Sequence, residues 1–183
     1  MKPTQYTTTA IGLHWLLALL IVGSLGMGWY MVDLPMSVQR LKLFNWHKWA
    51  GITILVLSAA RLLWRLSHPA PALPSTMPAW QRTASHVSHG MMYVLFFAIP
   101  LVGWAYSSAA GFSIVWFGVI PLPDWVPRSR ELAELLKPWH GWLAYALAAV
   151  VAVHVAAALK HHWIDKDQVM ARMLPWLRSH VRG

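Results

Sequence analysis

The chain has 183 residues, 57% of them hydrophobic and only 11% charged. A soluble domain carries about 25% charged residues, so this sequence cannot cover a water-facing surface and reads as a membrane protein. Its net charge of +9 does not point to a nucleic acid, because the basic residues flank apolar runs without forming a dense patch, and the lack of cysteine excludes disulfides, thiolate metal sites, iron-sulfur clusters and covalent haem attachment.

A span needs about 20 apolar residues, so the length allows four or five helices and one domain. The first apolar run extends from about Ala10 to Met31. It is longer than the apolar part of a signal peptide and shows no small-residue cleavage site, which predicts an uncleaved first helix. A second helix is predicted over 41–66, ending before the Pro-rich stretch His68 to Pro78, which cannot be helical. A third covers 83–106, with Pro100 placed to kink it. Residues 107–134 are rich in aromatic and apolar side chains but broken by Gly111, Gly118, Pro121, Pro123 and Pro127, and predict an interfacial loop lying over one end of the bundle. The fourth helix is predicted over 135–163. The expected fold is therefore all-α, an integral membrane four-helix bundle forming one domain over 1–183.

Nine of the 15 Lys and Arg fall on one side (Lys2, Arg61, Arg65, Arg82, Lys160, Lys166, Arg172, Arg178, Arg182) and six on the other (Arg40, Lys42, Lys48, Arg128, Arg130, Lys137). The positive-inside rule then places both termini in the cytoplasm. Most of the 13 Trp lie near the ends of apolar runs, as interfacial anchors do.

Polar side chains inside a bilayer are costly and usually face the bundle interior. Four histidines lie within the apolar runs: His14, His47, His140 and His154. His140 and His154 are 14 residues apart, about 21 Å along a helix axis and within about 40° of one face. His14 matches the depth of His154, and His47 that of His140. Two imidazole pairs near opposite leaflets are what two bis-histidine b-type haems require. Gly51, Gly141, Ala144 and Ala148 would leave room for a flat macrocycle. The plainer alternative, four hydrogen-bonded interior histidines, stays open at this point, and His86 and His89 compete for the cytoplasmic level. Arg61 and Arg65, at i and i+4, could meet haem propionates on the inner side, and Lys48 or Lys137 on the outer side, or all four could be ordinary interfacial anchors. A quinone site is expected near the cytoplasmic haem, around Arg61, Arg65, His89 and His161, because the cluster is basic, titratable and at a lipid-accessible depth.

Taken together, Ile11-Gly12-Leu13-His14-Trp15, His47 with Gly51-Ile52, Arg61-Leu62-Leu63-Trp64-Arg65, Ser85-His86-Val87-Ser88-His89, Lys137-Pro138-Trp139-His140 and His154 through His162 resemble the bacterial cytochrome b561 family of four-helix di-haem membrane cytochromes over nearly the whole chain. The resemblance implies a multi-pass protein of the bacterial inner membrane. It implies two haem b per chain, ligated by His14 with His154 and by His47 with His140. One branch of that family oxidises superoxide at the periplasmic face and reduces ubiquinone. The expected partners are thus membrane lipid, quinone and a small anionic or protein electron donor on the periplasmic side. A rival reading is a haem-bearing membrane anchor subunit of a larger dehydrogenase or hydrogenase. A small transporter or metal permease is disfavoured, since all six acidic residues are expected in loops or tails.

Overall fold

A computed structural model describes residues 5–180. Four helices form the body: α1 (Thr8–Val32), α2 (Val38–Ser67), α3 (Ala79–Ala109) and α4 (Arg130–Trp163). All four are long and apolar enough to cross a membrane. The fold is an all-α four-helix membrane bundle, with one end carrying the start of α1 and the end of α4 (the terminal end) and the other carrying the α3–α4 connection (the hairpin end). Lys2 and Arg182, which entered the charge count, lie outside the described residues.

Helix starts follow capping chemistry more closely than hydropathy. Thr7, Ser37 and Ser129 each accept a backbone N–H three residues on, from Ala10, Arg40 and Leu132, at 3.2 Å. Ser129 explains why α4 begins at Arg130, ahead of its apolar run. Glu131 lies in the first turn, and Arg130 Nε donates to Glu134 Oε1 at 2.7 Å, an i,i+4 pair. Glu131 and Glu134 are therefore helical, at the exposed start of α4, where the sequence placed them in a loop.

The core is a mid-depth layer of Leu17 and Ile21 from α1, Ile54 from α2, Met92 and Leu95 from α3, and Leu147 from α4. Leu147 is midway in sequence between His140 and His154, so the layer separates the two histidine levels. Leu19, Leu63, Val94 and Val153 are exposed on the outside of the bundle, the distribution expected when lipid covers the surface.

The α3–α4 connection departs from the expected loop over the bundle end. It folds as a two-stranded antiparallel hairpin, β1 (Val115–Trp116) and β2 (Ile120–Pro121), laid along the flank of α2. Lys48 Nζ donates to Phe112 O at 3.4 Å, Trp49 Nε1 to Val115 O at 2.6 Å, and Trp116 Nε1 to Thr53 Oγ1 at 3.2 Å. At the terminal end the tail crosses back over the bundle: Trp15 Nε1 donates to Met173 O at 2.9 Å and Arg172 Nη1 to Ala72 O at 2.7 Å.

Candidate functional site

At the hairpin end α2 and α4 bring His47 and His140 face to face, with ring centroids 6.0 Å apart and planes crossed at 86°. The other two helices hold these rings. Ser24 Oγ of α1 lies 3.2 Å from Nδ1 of His47, and His140 donates from Nδ1 to Ile99 O of α3 at 3.1 Å. A carbonyl can only accept, so Nδ1 of His140 carries the proton and its Nε2 lone pair is free, the tautomer a metal ligand needs. Gly28 and Gly103 supply clearance. A Cβ at Gly28 would sit 3.3 Å from Cε1 of His47, and one at Gly103 only 2.8 Å from Cε1 of His140. A Cβ at Gly51 or Gly141 would meet nothing within 4 Å, so these two glycines, expected to make room for a flat group, border open space.

At the terminal end His14 of α1 and His154 of α4 stand 6.3 Å apart at 69°. His89 of α3 joins them, 5.3 Å from His154, its Nδ1 donating to Ser85 O at 2.6 Å. All five rings are half-buried, whereas His86 is exposed. Arg61 lies within Coulombic reach of His14, His89 and His154. It also lines a small cavity with Arg65, Tyr93, Trp64 and Met173. Arg61 Nη1 and the Tyr93 hydroxyl are buried without a hydrogen-bond partner. Two unmet buried donors in one cavity create a demand for an acceptor oxygen, best met by a carboxylate.

Two imidazoles sharing one metal, each nitrogen roughly 2 Å from it, have their centroids about 6 Å apart. Both facing pairs have that separation, 6.0 and 6.3 Å, so each could hold a metal between its rings. The donor set therefore fits a haem at either end.

The remaining predicted residues are dispersed. Lys48 reaches the hairpin backbone. Lys137 lines an open cleft between α3 and α4 with Arg128, Arg130 and Glu134. His161 turns toward Asp167 and Asp165, at 2.7 and 3.2 Å. Of the four residues expected around a quinone, Arg61 and Arg65 share the small cavity, His89 packs on His154, and His161 belongs to the ion-pair cluster at the exit of α4.

The profile of prokaryotic cytochrome b561 matches residues 5–176. The chain belongs to the prokaryotic cytochrome b561 family. Among its relatives, "cytochrome b561 homolog 2" of Escherichia coli (strain K12) is 34% identical over 94% of this chain and 92% of its own length. "Probable superoxide oxidase CybB" of Yersinia pestis is 36% identical over 96% and 98%, and "cytochrome b561 homolog 1" of Escherichia coli (strain K12) 33% over 93% and 97%. This cytochrome b561 is thus a multi-pass protein of the bacterial inner membrane that uses haem b in electron transfer.

Sequence reasoning reached the histidines of this b561 protein but missed Ser24, Gly28, Ile99 and Gly103. A glycine inside a helix costs about 1 kcal/mol relative to alanine, which marks it as worth explaining. Among 11 glycines, however, only the fold shows which two face an imidazole. The carbonyl of Ile99 leaves no mark in the sequence.

Proposed function

We propose that this cytochrome is a di-haem relay carrying single electrons from a donor on the periplasmic side to ubiquinone in the bilayer, with both termini in the cytoplasm. The observation that supports it best is the doubled geometry: two facing imidazole pairs, His47 with His140 and His14 with His154, about 21 Å apart along α4. Haem b, when bound, supplies the one-electron chemistry. The chain's part is to ligate and orient. Nε2 of His140 is left free because Ile99 holds the other nitrogen, and Ser24 occupies the same nitrogen of His47. Arg61, with Arg65 and Tyr93 beside it, would receive propionates at the terminal end, and Lys48 and Lys137 would do so at the hairpin end. The quinone would lie at the terminal end near Arg61, Arg65 and His89, whereas His161, expected beside it, belongs to the ion-pair cluster at the exit of α4.

Superoxide is the proposed donor. The Yersinia relative carries that activity in its name, and Arg128, Arg130 and Lys137 line the hairpin-end cleft against the single carboxylate of Glu134, which attracts small anions. Two superoxide ions would each lose one electron and leave as dioxygen, and the quinone would gain two electrons and two protons to become quinol. A pyridine haemochrome assay on the purified protein should count two haems per chain, and His14→Ala and His47→Ala should each leave one. Stopped-flow mixing with superoxide should reduce the haem within the mixing series. A colourless protein, or one haem in the unaltered chain, sinks the relay; a haem band that superoxide leaves oxidised sinks the donor assignment alone.

A further inference from the structure

On α2, Trp46 and Trp64 are 18 residues apart, about 27 Å along the axis, close to the roughly 30 Å thickness of the hydrocarbon layer. Indoles settle at the two interfaces, so this pair marks where α2 enters and leaves that layer. The hairpin is tied to α2 on the inner side of that mark. Phe112 is held at Lys48, Val115 at Trp49 and Trp116 at Thr53. Trp49 and Thr53 lie about 4.5 and 10.5 Å deeper than Trp46, and the turn packs on the Trp49 indole, the Phe117 ring 5.8 Å from it, so the hairpin lies beside α2 on the inner side of the mark.

Backbone polar groups in hydrocarbon must find partners within the protein, and the base of this hairpin provides several. Val115 O accepts from Gly118 N at 3.0 Å as well as from the Trp49 indole; Trp116 O accepts from Val119 N at 3.1 Å, and Ile114 O from Leu122 N at 2.9 Å. Pro121 and Pro123 have no N–H to satisfy. The turn takes two consecutive left-handed residues, Phe117 at φ 51° and Gly118 at φ 74°. Glycine adopts that conformation freely and phenylalanine seldom, and the Phe117 ring packs against Trp49 and Trp116 at 5.8 and 5.2 Å. Outward the hairpin shows only apolar side chains from Val115 to Ile120, with Phe117 57% and Val119 78% exposed. Ile114, in contrast, is buried and anchors the base.

From its level on α2 and its apolar exterior together, we propose that residues 112–121 form a re-entrant hairpin whose exposed apolar side chains lie among the acyl chains of the leaflet at that end, continuing the lipid-facing surface of α2. The chain has no cysteine, so a single nitroxide can be placed without background. Val119→Cys, labelled and reconstituted in phosphatidylcholine vesicles, is compared with Leu19→Cys on the lipid-facing surface of α1 and Glu131→Cys at the exposed start of α4, using power saturation by dioxygen and a water-soluble nickel chelate. Val119 is expected to match Leu19, with dioxygen collisions high and nickel collisions lost. Nickel accessibility equal to that at Glu131 would place the hairpin in water and overturn the proposal. Dipolar broadening that vanishes on dilution with unlabelled protein would assign the surface to a second copy and overturn it as well. If Val119→Cys fails to retain haem, Ile120→Cys, 49% exposed on the same hairpin, reads the same depth.

Discussion

Replacing Gly103 with alanine tests whether the α3 backbone sets the position of the His140 ring. The new methyl group would lie 2.8 Å from Cε1 and 3.1 Å from Nδ1 of His140. Ordinary contact begins at 3.4 Å, so the ring or the helix must yield by the difference, about 0.6 Å. The ring cannot retreat freely, because its Nδ1 is bonded to Ile99 O on the same helix. Overpacking of this kind costs about 1–3 kcal/mol, equivalent to a roughly 5- to 150-fold weaker grip on whatever His140 ligates. Gly90→Ala provides the control, since a Cβ there meets nothing within 4 Å, and on helix propensity alone it should gain about 0.5–1 kcal/mol. The assay is haem titration into the apoprotein, followed by the reduced α band and by thermal release of haem. One of the two sites is expected to weaken in Gly103→Ala and neither in Gly90→Ala. Equal affinities and superimposable spectra for both variants would refute the reasoning, because a clash this close cannot be silent if His140 is a ligand.

Gly28→Ala, whose Cβ would stop 3.3 Å from Cε1 of His47, should perturb the same hairpin-end site more mildly, with a smaller band shift and smaller loss of haem affinity than Gly103→Ala. Ser24→Ala removes the hydroxyl at Nδ1 of His47 and should cost about 0.5–1.5 kcal/mol, seen as lower haem occupancy at that end with the His14–His154 site unchanged. Arg61→Gln should weaken the terminal-end site selectively, by about 1.5–3 kcal/mol if the guanidinium bonds a propionate, measured as the rise in haem dissociation rate; uniform loss at both sites would contradict the assignment. Trp15→Phe cuts the bond that ties the tail to α1 and should release the tail by about 1 kcal/mol, detected as faster tryptic cleavage after Lys166 and Arg172 with unchanged haem content.

What the sequence disclosed depended on whether a residue acts through its own helix or through another. His140 and His154 lie on one continuous helix, so rise and rotation place them at two depths on one face, and the facing pairs in the fold have that arrangement. His14 and His47 followed from matching depths alone. His89 was visible as a rival and stood behind the pair on α4; its approach to His154 at 5.3 Å depends on how α3 packs against α4, a rotation that periodicity does not fix. The hairpin shows the same limit more sharply. Its apolar residues and turn formers predict an interfacial loop, yet the segment is tied to Trp49 and Thr53 on another helix, through two hydrogen bonds that span 66 and 63 residues. Gly103 and Ile99 lie beyond sequence reading for a related reason. One contributes the absence of a Cβ and the other a backbone carbonyl, and neither is a chemical signature until α4 brings an imidazole beside them. In this bundle residue type names the candidate ligands, and for His140 the packing of α3 determines which nitrogen is left free.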